Sequence, residues 1–165
     1  MLKYTTTDIV FSEVPDEVSL AITISGCPNR CPGCHSPQLQ QAIGTTLDNA
    51  ALDKLIAPYE NAVTCVCLMG GDAEPSQVVA LAKHIKQSHP QLRTAWYSGR
   101  DLMPQGEEYL DYVKLGAYRA SFGPLDSPTT NQRMLKRIAD GRRKDITEFF
   151  QRKGPRARAT ATAGE

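Results

Sequence analysis

Three thiols fall within eight residues of this chain, in the run Cys27-Pro28-Asn29-Arg30-Cys31-Pro32-Gly33-Cys34-His35. As thiolates at a three-then-two spacing they would repel one another, so a bound cationic metal centre is the natural way to hold them close. Pro28, Pro32 and Gly33 suit a loop that wraps a compact object better than a helix or strand. Three thiolates leave one iron of a 4Fe–4S cluster without a protein ligand, whereas an electron carrier normally supplies four. An iron left open in this way can take a substrate, as an open coordination position does in catalytic zinc sites. Structural zinc is the competing chemistry. Cys31 and Cys34 form a Cys-x-x-Cys pair, and Cys27, His35, Cys65 or Cys67 would have to complete four ligands. No second Cys-x-x-Cys pair exists, and adjacent Cys34 and His35 make awkward joint ligands. Cys65 and Cys67 alternate within an apolar run and read as small core hydrophobes.

The elements that must position this loop follow from the pattern on either side of it. Residues 8–12 and 18–24 read as strands separated by a Pro15-Asp16 turn, and the second strand runs directly into the cysteine loop. Leu52, Leu55, Ile56 and Tyr59 fall at helical spacing over 48–59, with Asp48 as N-cap. Residues 63–69 form a short apolar run, as expected for a strand covered on both faces. Pro75 opens a second helix that must stop before Pro90. Residues 93–97 and 109–114 read as further strands, and 145–151 as a helical turn. The alternation predicts an α/β single domain with a mostly parallel sheet. A complete eightfold barrel needs roughly 200–250 residues, so the expectation is a partial (β/α) barrel. In parallel sheets ligands bind beyond the carboxyl ends of the strands. The loops expected there are 25–35, 70–74, 98–100 and 115–117, which puts the cysteines and the paired glycines Gly70 and Gly71 on one rim.

Composition frames this site without specifying it. The 165 residues are 41% hydrophobic and 22% charged, ordinary for a globular protein. No apolar run approaches the roughly 20 residues of a membrane span, and residues 1–8 lack the basic and apolar regions of a secretory signal. A cytoplasmic protein with no membrane association is expected. Five cysteines in a reducing compartment point to metal or redox chemistry before disulfides. The net charge of +1 divides into +4 over residues 142–165 and −3 over the rest. With no aromatic residue after Phe150 to interleave with these charges, 142–165 reads as a basic, disordered tail and not as a nucleic-acid interface.

The run Ile24-Ser25-Gly26-Cys27, continued by Cys31-Pro32-Gly33-Cys34-His35-Ser36-Pro37, resembles the radical S-adenosylmethionine superfamily. Within it the run is similar to the branch of activating proteins for anaerobic ribonucleoside-triphosphate reductase. The likeness extends from about residue 8 to residue 135, and includes Met69-Gly70-Gly71-Asp72 and Ser127-Pro128-Thr129-Thr130-Asn131-Gln132-Arg133. It implies a domain over 1–141 with one 4Fe–4S cluster on Cys27, Cys31 and Cys34, and S-adenosylmethionine as second cofactor. It also implies cofactor contacts from Gly33 and His35 beside the adenine, from Gly70, Gly71 and Asp72 at the amino end, and from the Ser98 hydroxyl. Each of these has a plainer reading: a Gly-Gly-Asp turn, a loop histidine, a Ser-Gly turn. The family's turn commonly reads Gly-Gly-Glu-Pro. Here it reads Gly70-Gly71-Asp72-Ala73-Glu74-Pro75, so either Asp72 or Glu74 faces the ligand, with Asp72 favoured. Gly33, where many members carry an aromatic residue, fits the reductase-activating branch.

The implied activity is reductive cleavage of S-adenosylmethionine to a 5′-deoxyadenosyl radical, which then generates a glycyl radical on the reductase. Its partners would be that reductase and an electron donor such as flavodoxin or ferredoxin. No catalytic residue beyond the cluster ligands is expected. The alternatives are another glycyl-radical enzyme or a small molecule as target, or a zinc-stabilised interaction module. Arg133 could pair with a carboxylate or a partner protein, or be a solvated arginine. Lys114 and Tyr97 are expected near the rim without an assigned role.

Overall fold

In the computed structural model, which describes residues 1–151, the central strands are built from alternating side chains that are buried on both faces. Eight strands are present: β1 (Lys3–Val10), β2 (Ser19–Ile24), β3 (Thr45–Thr46), β4 (Cys65–Met69), β5 (Arg93–Tyr97), β6 (Tyr112–Leu115), β7 (Arg133–Arg137) and β8 (Arg143–Asp145). They form one sheet in the order β3-β1-β2-β4-β5-β6-β7-β8. Helices α1 (Asn49–Ile56) and α2 (Pro75–Ser88) join the central strands, and a single turn, α3 (Glu148–Gln151), follows the last strand.

This architecture corrects the expectation of a mostly parallel, partial (β/α) barrel. Only the four central strands, β2, β4, β5 and β6, run parallel to their neighbours. The pairings β3–β1, β1–β2, β6–β7 and β7–β8 are antiparallel, so the sheet is mixed. For β1–β2 and β7–β8, connection length is the physical reason. A parallel crossover needs about a dozen or more residues and usually a helix. The short link between β1 and β2 folds back as a hairpin instead, and β7 and β8 do the same. The sheet does not close, because β3 and β8 remain as its edges. The region expected as a tail also contributes: β8 pairs with β7, and Ile146 is buried. The remainder of the tail, 152–165, lies outside the described residues. Among the described residues no helix is long and apolar enough to cross a membrane.

Alternation along the central strands divides the interior. Leu20, Ile22, Val66, Leu68, Trp96 and Val113 face α1 and α2, packing with Leu52, Ile56, Val78, Ala82 and Ile85. Cys65, Cys67, Ala95, Tyr112 and Met134 form a second, smaller core on the opposite face, closed by Val14 and Ile146. The Asp48 side chain caps α1 by accepting from Ala51 N at 2.8 Å. Pro75 occupies the first turn of α2, and that helix stops at Ser88, ahead of Pro90.

A polar clasp holds the two helices together on the outside. His84 Nε2 and His89 Nε2 lie 2.8 and 2.9 Å from the same Asp53 oxygen. Desolvation favours the neutral carboxyl, but the hydrogen bonds from His89 and His84 outweigh it and hold Asp53 below the usual carboxylate value. A depressed carboxyl contributes stability above its unfolded pKa and loses it as the pH falls through the folded one. The stability advantage of the wild-type chain over Asp53→Asn, read from urea midpoints, should therefore shrink between about pH 5 and about pH 2. An advantage that stays constant over that interval would contradict the clasp.

Candidate metal centre

The cysteine loop leaves the carboxyl end of β2 and is tied back at its root before it spreads. Ser25 N donates to Lys3 O, Gly26 N to Gln41 O and Cys27 N to Leu39 O, at 2.9 to 3.1 Å. Cys34 N donates to Cys31 O at 3.1 Å, closing a turn across Pro32 and Gly33. Gly33 has φ 73°, in the left-handed region that glycine enters freely. Arg30 is there as well, at φ 43°, without glycine's freedom. All three thiols of the loop are free and half-buried.

Their sulfurs already receive backbone donors. Ser36 N lies 3.4 Å from Cys34 Sγ, and the Asn29 backbone bonds to Cys27. Burial pushes the Cys27 thiol above its ordinary value, and the nearby charges of Asp72, Cys31 and Cys34 push the same way against the Asn29 bond. A cationic iron–sulfur core would convert that mutual repulsion into attraction. A cubane also spreads its thiolates over separate irons, whereas zinc draws four donors to about 2.0–2.3 Å from one point. The donor set, three free and half-buried thiols on one loop, fits a cluster with three protein ligands.

Beside the loop, the ends of the parallel strands form a connected rim. Gly70 N donates to Tyr97 O, Ser98 N to Lys114 O and Gly116 N to Arg100 O, at 2.8 to 2.9 Å. Trp96 Nε1 donates to Gly70 O at 2.7 Å. Gly70 and Gly71 have φ 105° and 90°, and a Cβ on Gly71 would stand 2.6 Å from Val78 Cγ2. The turn is therefore built for close backbone approach. Asp72 is 4% exposed and points into this rim. Its Oδ1 accepts from the Ser98 hydroxyl at 2.7 Å, and its Oδ2 accepts from Gly99 N at 2.8 Å and Asn29 Nδ2 at 2.5 Å. Glu74, the alternative carboxylate, turns instead to Gln77 and the amine of Met1.

The remaining expected residues are dispersed. His35 is exposed, with its ring centroid 5.3 Å from that of Tyr118, at 48°. Tyr97 donates its hydroxyl to Glu13 O, pinning the β1–β2 connection over the second core. Arg133 donates to Thr130 O and Gln132 O and lies 3.5 Å from Asp145 Oδ2, so it braces its own loop. Cys65 and Cys67 are fully buried, and desolvation pushes both thiols far up, leaving them inert. Asn29, Gly99 and Tyr118 are site residues that sequence reading missed. Asn29 had one signal, its place between two of the cysteines.

The comparisons with known proteins give one family match. Residues 18–115, more than half of the chain, match the family described as "4Fe-4S single cluster domain". No curated protein and no solved structure matches.

One buried cation faces this site. Lys114 donates to Ser98 O at 3.2 Å and Gly116 O at 2.7 Å. Burial lowers its ammonium to about 8, although Asp72 and Cys31 draw it upward. The depressed value means that folding disfavours the charged form. That cost is complete below the folded pKa and disappears above the unfolded one. In the apoprotein, the wild-type chain should gain stability relative to Lys114→Met as the pH rises from about 7 to about 10. A difference in melting temperature that does not change with pH would contradict this reading.

Proposed function

The chain belongs to the 4Fe-4S single cluster domain family, and from that premise we propose that it is a radical enzyme that cleaves S-adenosylmethionine reductively. In this reading it generates a glycyl radical on anaerobic ribonucleoside-triphosphate reductase. The observation that carries the proposal is the meeting of two features on one rim. The three-cysteine loop leaves β2, and the Gly70-Gly71-Asp72 turn and Ser98 end the next two parallel strands.

Cys27, Cys31 and Cys34 would hold the cluster. When bound, it supplies an iron without a protein ligand and one electron, whose transfer to the sulfonium breaks a carbon–sulfur bond to give methionine and a 5′-deoxyadenosyl radical. The chain's own residues bind and orient. Gly70 and Gly71 let the turn pack directly against Ile24 and Val78, and its backbone groups would meet the amino acid end of a ligand. Lys114 supplies the buried positive charge on the same side, where it offsets Asp72 and would favour a ligand carboxylate. His35 and Tyr118 supply aromatic edges beside Gly33, suited to a purine. Fixed in place beforehand, such groups lower the entropy cost of holding the reacting atoms together. A reductase as target and a flavodoxin or ferredoxin as donor are supported by the likeness of Cys31-Pro32-Gly33-Cys34-His35 to the activating branch.

Anaerobic cluster reconstitution, followed by dithionite and S-adenosylmethionine, should yield 5′-deoxyadenosine, and Cys31→Ala should abolish it. With the reductase added, a glycyl radical should be seen by electron paramagnetic resonance. Product persisting in Cys31→Ala would contradict the ligand assignment. Cleavage with no radical on the reductase would shift the target to another glycyl-radical enzyme or a small molecule.

A further inference from the structure

Asp72 has no oxygen left unengaged. It is buried, and its two oxygens accept three hydrogen bonds, from Ser98, Gly99 and Asn29. Hydrogen bonds to a charged acceptor are worth more than neutral ones, and breaking one in a buried place leaves the remaining group badly solvated. Two of these donors belong to the β5 end of the rim and are fixed by the sheet. The third belongs to the cysteine loop, between Cys27 and Cys31.

The backbone around that third donor shows why the loop needs an anchor. Arg30, the next residue, lies in the left-handed region at φ 43°, a conformation that a non-glycine residue holds only when its surroundings enforce it. Asn29 also reaches Cys27 through its backbone. One residue thus contacts a ligand sulfur on one side and the sheet rim on the other.

Gly99 supplies an independent observation. Its φ lies outside the left-handed region, so its backbone does not require glycine. A Cβ there would stand 2.3 Å from Asn29 Nδ2 and 3.2 Å from Asp72 Oδ2. The nearest obstacle to a side chain at this position is the Asn29–Asp72 pair. Glycine here is room for the Asn29 amide.

We propose that Asn29, Asp72 and Gly99 form a latch that sets the cysteine loop in its cluster-receiving shape. Asp72 is then a positioning residue that acts on the cluster through Asn29. Its carboxylate is committed to the protein, and a bound ligand would meet the neighbouring backbone instead. The inference rests on the reading of the three cysteines as cluster ligands and is independent of the substrate that the cluster serves.

The test compares four full-length proteins reconstituted anaerobically: wild type, Asn29→Ala, Gly99→Ala and the double variant. Cluster loss to an iron chelator is followed by visible absorbance, and melting of each apoprotein is recorded in parallel. Each single variant should lose its cluster faster by roughly tenfold to a hundredfold, the usual cost of removing a residue that orients a metal ligand. The apoprotein melting temperatures should fall only modestly, because Ser98 and Gly99 still engage Asp72. The double variant should lose its cluster no faster than Asn29→Ala alone, because the 2.3 Å clash of the new Cβ is with the amide that Asn29→Ala removes. That rescue from additivity is a result that general loosening of the fold does not produce. Wild-type loss rates in both single variants, or additive effects in the double variant, would overturn the latch. A wild-type chain that takes up no iron–sulfur cluster would overturn the ligand reading beneath it, which separates the two failures.

Discussion

The Asp72 carboxylate joins the two parts of the molecule that the chemistry must bring together. One is a loop whose three sulfurs would repel each other as thiolates without a metal between them. The other is the edge of a rigid sheet. Asp72 binds Ser98 and Gly99 on the sheet side and Asn29 on the loop side. Because it is buried, these bonds form in a low-dielectric setting, where a missing partner would be costly. Lys114, donating to the carbonyl of Ser98, places the compensating positive charge close by.

The rest of the fold makes that point immovable. The parallel strands β2, β4 and β5 end together, so the cysteine loop, the glycine turn and Ser98 start from adjacent positions. Trp96, fully buried under α2, reaches from the core to the Gly70 carbonyl and fixes the turn. The helix face of the sheet gives mechanical support, while the opposite face, with Cys65, Cys67 and Tyr97, is closed by the β1–β2 connection. The loop thiols and the strand thiols therefore differ in where the chain puts them, half-buried on the loop or fully buried in a strand.

How much of this was legible in the sequence depended on whether its cause was local. The bounds of α2 and β5 follow from Pro75, Pro90 and the Ser98-Gly99 turn, and the structure agrees with them closely. β7, with charges at Arg133, Lys136 and Arg137 and one fully buried residue, Met134, carries little alternation to read. β3 is two residues long and β8 three, below the length at which a pattern forms. The partial barrel failed for a different reason: strand direction is set by the path of the connections, and hairpins at both ends of the sheet leave no trace in periodicity. At the site, the cysteine spacing was readable because it is local. The Asn29–Asp72 bond spans 43 residues of sequence and Gly99 answers to both partners, so only the folded chain reveals them.

The central claim is that Cys27, Cys31 and Cys34 hold an iron–sulfur cluster, and metal analysis of the anaerobically reconstituted chain tests it most directly. Iron and acid-labile sulfide should be present in equal amounts, about four of each per chain, falling sharply in Cys27→Ala and unchanged in Cys65→Ala. One zinc per chain without labile sulfide, or full iron in Cys27→Ala, would contradict it.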